Sequence, residues 1–180
     1  RSYTVEPRKQ LTDVWTVTSS GAASDYDLSV YGPNGFLRAF KGGISGARRA
    51  RLDARARYDE SGHGIVLEIT NKAMHTAKVH VLDQYTGRHV EAELKPGANF
   101  SKHWSLKRVF GWYDLLVTVE GDAGFECHFA GHVETGKGSI SDPAMGGLVP
   151  DELPGLVDRD VDAAHPEREG ADMEHSNRSR

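Results

Sequence analysis

Apolar and polar positions alternate along most of the chain with a period of two. From Gly64 to Asn71, Ile65, Leu67 and Ile69 fall on one side and Val66, Glu68 and Thr70 on the other. That is the pattern of a strand with one face in a core. Ala77, Val79 and Val81 alternate with Lys78, His80 and Leu82, and Val90, Ala92 and Leu94 with Glu91, Glu93 and Lys95, where Pro96-Gly97 ends the run. Phe100 to Leu106, Trp112 to Val119 and Phe125 to Gly131 are rich in aromatic and apolar residues, and Ala54 to Asp59 supplies a first strand. About seven short strands in one stretch predict an all-β immunoglobulin/fibronectin-like sandwich. Helix signals reduce to a single turn at most, over Lys107 to Phe110.

The chain also resembles itself. Tyr26-Asp27-Leu28-Ser29-Val30 returns as Tyr113-Asp114-Leu115-Leu116-Val117, and Gly35-Phe36 through Phe40 and Gly42 returns as Gly124-Phe125 through Phe129 and Gly131. Pro7 precedes Trp15 by the same eight residues that separate Pro96 from Trp104. The offset between copies is 89 at the Trp, 87 at the Tyr and 89 at the second Phe. The two residues are regained in the turn between strands, where duplicated folds tolerate insertion.

Residues 51 to 85 have no earlier counterpart. The expected organisation is therefore the back half of one unit over residues 1–43, a linker over 44–50, a complete unit over 51–146 and a tail over 147–180. The chain is expected to start mid-domain. Strands lacking their facing sheet are marginal alone, so the half unit is expected to pack on the complete one or to stay partly unordered. The tail carries three prolines and many charged residues with almost no aromatics; it cannot bury enough apolar surface to order itself and is expected to be disordered.

Charge and composition narrow the chemistry. A formal net charge of -4 gives no basic footprint for nucleic acid. The one dense basic run, Arg48, Arg49, Arg51, Arg55 and Arg57, is interrupted by Asp53 and reads as solvated linker and strand edge. A single cysteine, Cys127, excludes an internal disulfide. No apolar run approaches the length of a membrane-spanning helix.

Tyr26-Asp27-Leu28-Ser29-Val30-Tyr31-Gly32-Pro33-Asn34-Gly35-Phe36 resembles the signature of the C-terminal repeats of bacterial phosphocholine-preferring phospholipases C. Phe129-Ala130-Gly131-His132-Val133-Glu134-Thr135-Gly136, continuing to Ser141-Asp142-Pro143-Ala144-Met145-Gly146, resembles the end of the last repeat. The resemblance implies a secreted or periplasmic parent that hydrolyses phosphatidylcholine to diacylglycerol and phosphocholine. It also implies a large N-terminal catalytic domain as partner. Nothing in this sequence matches that catalytic part. The residues after Gly147 and the Cys127-His128 pair depart from the family pattern.

No catalytic, cofactor or metal site emerges. Cys127, His128, His132 and Glu134 are metal-ligating types, but strand alternation sends Cys127 to the side of Phe125 and Phe129 and His128 to the other. His63, His75, His80, His89 and His103 have no ligand spacing and read as solvated. Gly42-Gly43-Ile44-Ser45-Gly46 lacks the helix and Lys-Ser/Thr pair of a phosphate loop and reads as linker. Trp15 and Trp104, at matching places, are expected in the core. Trp112 stands where the first copy has Asp25, which makes it the candidate for an exposed contact with a phospholipid surface or a missing domain. The expected function is a non-catalytic accessory domain of a phospholipase C. The alternative is a carbohydrate-binding or adhesion sandwich unrelated to lipid.

Overall fold

The computed structural model describes residues 1–6, 8–16, 25–46 and 49–146. The expected tail over 147–180 lies outside the described residues, as do residues 47 and 48 of the expected linker. Nine strands form among the described residues: β1 (Asp25–Tyr31), β2 (Leu37–Gly43), β3 (Leu52–Tyr58), β4 (Gly64–Asn71), β5 (Ala77–Asp83), β6 (Arg88–Leu94), β7 (Asn99–Ser105), β8 (Trp112–Val119) and β9 (Asp122–His132). A single 3-10 turn, Pro143–Gly146, follows. All pairings are antiparallel, in a six-stranded sheet of order β1-β2-β9-β8-β5-β6 and a three-stranded sheet of order β3-β4-β7. The fold is the expected β-sandwich.

Alternation places the core. Ile65, Leu67 and Ile69 of β4 have no exposed surface, and they face Val79, Val81, Tyr113, Leu115, Val117, Phe125 and Phe129 of the larger sheet. Burying such side chains contributes roughly 1.5–3 kcal/mol each. One polar side chain lies fully inside. Asn71 donates to the carbonyls of His75 and Leu94, both at 2.8 Å, and accepts from the Ala73 amide at 2.9 Å. With all its partners present, it ties the end of β4 to the turn before β5 and to the end of β6.

The first hairpin joins the rest as two added strands. β2 pairs with β9 through Leu37↔Ala130, Arg38↔Phe129, Ala39↔His128, Phe40↔Cys127 and Lys41↔Glu126. Matching Phe40 to Phe129, as the sequence does, maps this ladder onto itself. Arg38↔Phe129 becomes Phe40↔Cys127, Leu37↔Ala130 becomes Lys41↔Glu126, and Ala39↔His128 lies on the local two-fold axis. Contacts of that kind are isologous, with one surface meeting its own equivalent.

The two hairpins share register as well. Tyr26 faces Gly42 and Leu28 faces Phe40, as Tyr113 faces Gly131 and Leu115 faces Phe129. In both, the tyrosine ring covers the glycine: a Cβ on Gly42 would sit 2.6 Å from the Tyr26 hydroxyl, and one on Gly131 would sit 2.8 Å from that of Tyr113. Only glycine admits a ring so close.

Several expectations need correction. Trp104 is buried at 6% exposure, but Trp15 is 43% exposed, with the Arg1 guanidinium over its ring. Trp104 sits in β7 beside Ile65 of β4; no strand among the described residues plays that part for Trp15. Gly42 and Gly43 are strand rather than linker. Arg49 is not a solvated linker residue: it donates to Asp25 at 3.1 Å and to Asp122 at 3.2 Å, and Asp122 also accepts from the Ala50 amide at 2.8 Å. Arg49 thereby clamps the start of β1 to the start of β9.

Candidate functional site

The two segments meet at one end of the larger sheet, around Trp112. Tyr113 and Leu115 point into the core, so alternation sends Trp112 and Asp114 to the opposite, outer face. On that face Asp114 stands beside Ala130, which in turn pairs with Leu37 and so with Tyr31. The loop between β1 and β2 closes one side. Its Gly32 amide donates to the Phe36 carbonyl at 2.9 Å, and Asn34 and Gly35 take φ of 54° and 68°. Gly35 comes so near Trp112 that a Cβ there would lie 3.0 Å from the ring.

The opposite wall is Tyr85 and Asp142. The Tyr85 hydroxyl donates to Asp142 at 2.7 Å, and the Ala144 amide donates to the same oxygen at 2.9 Å. Burial, followed by the hydrogen bond to Asp142, pushes the Tyr85 phenol far above its ordinary range. The cavity has a volume of about 290 Å³. Its mouth is open, and Tyr31 at the rim is 77% exposed.

Trp112, the candidate for an exposed contact, is only 9% exposed. Its indole N–H donates to the Ile140 carbonyl at 3.1 Å, and its ring lies against His132 with centroids 4.7 Å apart. It forms part of the cavity wall and abuts the first segment at Gly35; it does not project from the surface. The sequence could not show this cover, because residues 139–140 come from beyond the last strand.

His132 approaches Glu134 through Nδ1 at 3.0 Å and both Ser139 Oγ and the Phe110 carbonyl through Nε2, at 2.9 and 3.0 Å. Serine, imidazole and carboxylate in a row invite comparison with a nucleophilic triad. The Phe110 carbonyl decides against it. A carbonyl 3.0 Å from Nε2 calls for a proton on that nitrogen, so its lone pair is not free to take one from serine. Ser139 itself donates to the same carbonyl at 2.9 Å. The cluster is a clasp that pins residues 134–140 over Trp112, and Asn34 joins it by donating to Glu134 at 2.5 Å.

The other singled-out residues separate. Cys127 is 3% exposed in the core, and burial raises its thiol to about 12. His128 points to the outer face and meets Asp114 at 2.5 Å; that hydrogen bond raises its pKa above the ordinary histidine value. Cys127 and His128 therefore address opposite faces, as alternation predicts. His103 is held by Asp59 at 2.8 Å and His80 by Glu91 at 3.3 Å, so these two are paired rather than simply solvated. Among the described residues, no three His, Cys, Asp or Glu side chains come together as a metal-binding group. No helix among them is long and apolar enough to cross a membrane.

Comparison with known proteins bears on the whole arrangement. The family described as bacterial phospholipase C, C-terminal domain, matches residues 1–43 and 47–132. A non-hemolytic phospholipase C of Burkholderia pseudomallei (strain K96243) is 40% identical over 147 residues, 80% of this chain and 21% of that protein. The non-hemolytic phospholipase C of Pseudomonas aeruginosa is 34% identical over 152 residues, covering 81% of this chain and 22% of the relative. The hemolytic phospholipase C of the same organism is 38% identical over 125 residues, 67% of this chain and 17% of its own length. The chain thus spans about a fifth of the length of the curated relatives it matches. With the signature turn at 32–36 and the end of β9 meeting around one cavity, and with the match extending over both segments, this chain belongs to the family of bacterial phospholipase C C-terminal domains.

Proposed function

We propose that this chain is a non-catalytic accessory region of a secreted or periplasmic bacterial phospholipase C whose catalytic domain lies outside these 180 residues. The parent activity would be hydrolysis of phosphatidylcholine to diacylglycerol and phosphocholine. The observation that carries this reading is the match to the C-terminal domain family over a chain that is about a fifth of its relatives' length. The carbohydrate-binding or adhesion alternative draws no support from relatives that are phospholipases C.

The same reading includes the duplication. Residues 1–43 would be the back half of a unit that residues 51–146 present whole. The shared hairpin register and the local two-fold axis through Ala39 and His128 support it; the unlike surroundings of Trp15, exposed, and Trp104, buried, do not. The test of the accessory role is direct. Incubated with a chromogenic phosphocholine ester, the purified chain should give no turnover above the blank, whereas a full-length relative should give robust turnover. Turnover by this chain alone, abolished by a substitution within it, would overturn the proposal.

A further inference from the structure

The cavity at the junction of the two segments has an unusual lining. Four aromatic side chains, Tyr31, Phe36, Tyr85 and Trp112, and two carboxylates, Asp114 and Asp142, contribute to its wall, and no lysine or arginine does. Its remaining lining is glycine, Leu37 and Ala130. Aromatic faces carry negative electrostatic potential and attract cations, most strongly when the cation is large and weakly hydrated. Carboxylates beside them add a net negative field without demanding a hydrogen bond from the ligand.

Each carboxylate is held by one oxygen only. Asp114 uses Oδ1 toward His128, and Asp142 uses Oδ1 toward Tyr85 and the Ala144 amide. Among the described residues, neither Oδ2 has a hydrogen-bond donor. The nearby cations are committed elsewhere. Arg38 lies 4.4 Å from the Phe36 ring centroid, but its guanidinium is bonded to the carbonyls of Leu37 and Ala130 and to the Tyr113 hydroxyl. The fields of Asp142, Asp114 and Asp83 all disfavour ionisation of the Tyr85 phenol, which marks negative potential at this wall.

We propose that this cavity is a binding site for a quaternary ammonium group, with the aromatic walls contacting its methyl groups and Asp142 supplying the counter-charge, since Asp114 is already paired with His128. A primary ammonium fits less well. Beyond what the carboxylates can accept, its N–H donors would face aromatic rings, which are weak acceptors, whereas a quaternary ammonium has no N–H to satisfy. A cavity of about 290 Å³ accommodates a trimethylammonium head with room to spare, and its open mouth suits a ligand whose other end stays outside. The proposal goes beyond the accessory role and does not depend on it.

The experiment titrates the full chain, isotopically labelled for NMR, with tetramethylammonium chloride, phosphocholine and ethanolamine at constant ionic strength. Vesicle sedimentation with phosphatidylcholine and with phosphatidylglycerol runs alongside. Saturable shifts confined to the Trp112 indole and the amides near Gly35, Gly131 and Asp142 are expected with tetramethylammonium and phosphocholine, and at least about fivefold weaker affinity for ethanolamine. Tyr31→Ala, at an exposed rim position, should weaken tetramethylammonium binding roughly threefold to fivefold. Asp142→Asn, which can keep the turn's hydrogen bonds, should weaken it about tenfold.

Sedimentation with phosphatidylcholine vesicles but not phosphatidylglycerol would identify a lipid headgroup as the source. Binding of phosphocholine without vesicle binding would identify the free compound. Absence of saturable binding into the tens of millimolar would overturn the proposal. So would equal affinity for ethanolamine, or binding that neither variant weakens. The accessory role would survive each of these results, since it is tested by turnover.

Discussion

The two hairpins of the larger sheet, β1–β2 and β8–β9, have the same internal design and different surroundings. Both pair a tyrosine with a glycine, a leucine with a phenylalanine and, one step on, a valine with the residue two before that phenylalanine. Yet Leu115 is 1% exposed and Val117 fully buried, whereas Leu28 is only partly covered and Val30 is 44% exposed. The difference is the second layer. Leu115, Val117 and Phe129 share a core with Ile65, Leu67, Ile69 and Trp104 of the smaller sheet, whereas from the first hairpin Phe40 packs against that core and Leu28 and Val30 do not. Register follows from local pattern and from the tyrosine-over-glycine fit. Burial follows from what another part of the chain places opposite.

The comparison can be broken by paired substitutions read through chemical unfolding. The largest effect is expected at the leucines. Leu115→Ala should cost about 3 kcal/mol by opening a cavity under the facing sheet, and Leu28→Ala less than about 1 kcal/mol. Equal losses would show that the first hairpin is packed as deeply as the second.

The glycines come next. Gly131→Ala should cost about 2 kcal/mol, because φ is 150° and the Tyr113 ring above it is buried and bonded to Arg38. Gly42→Ala should cost about half as much, since the partly exposed Tyr26 ring can swing away. A cost at Gly42 equal to or above that at Gly131 would refute this account.

Arg49→Ala should then remove about 1 kcal/mol, leaving Asp122 buried with only the Ala50 amide. Its signature would be faster hydrogen exchange in β1 and β2 than in β4 or β8. Uniform acceleration across all strands would argue against a clamp specific to the first hairpin.

The smallest effect is electrostatic. His128 pairs with Asp114, whereas Ala39 stands at the matching place in the first hairpin, so only the second hairpin carries this pair. The bond raises the folded-state pKa of His128 above its unfolded value. Its contribution is therefore complete below the unfolded histidine range and is lost as pH rises through the raised one. Across roughly pH 6 to 8, the wild-type chain should lose stability relative to His128→Ala as pH increases. A constant difference between the two would remove the ion pair from the account.

Much of the fold was legible because strands with one buried face write their period into the sequence. Composition alone bounds the run from Trp112 to Val119 as β8, and alternation alone gives the inward residues of β4. The opposite directions of Cys127 and His128 followed from the same alternation. The role of Arg49 is not legible in the sequence, because a residue in a charge run carries no mark of the buried carboxylate it will meet. The cavity went unseen for a similar reason. Its six chemistry-bearing residues lie between Tyr31 and Asp142 in the sequence, and no spacing rule links a tyrosine at the end of β1 to an aspartate more than a hundred positions away.

The sequence by itself determined the strands, their inward faces and the correspondence of the two hairpins, since these depend on neighbours one to a few residues apart. Tertiary structure alone decided that β2 pairs with β9, that Trp15 is exposed while Trp104 is buried, and that Trp112 is covered by Ile140 and forms a wall. Burial and cavity shape depend on which distant segments meet. That outcome is a sum over many weak contacts, and it leaves no short-range signature in the chain.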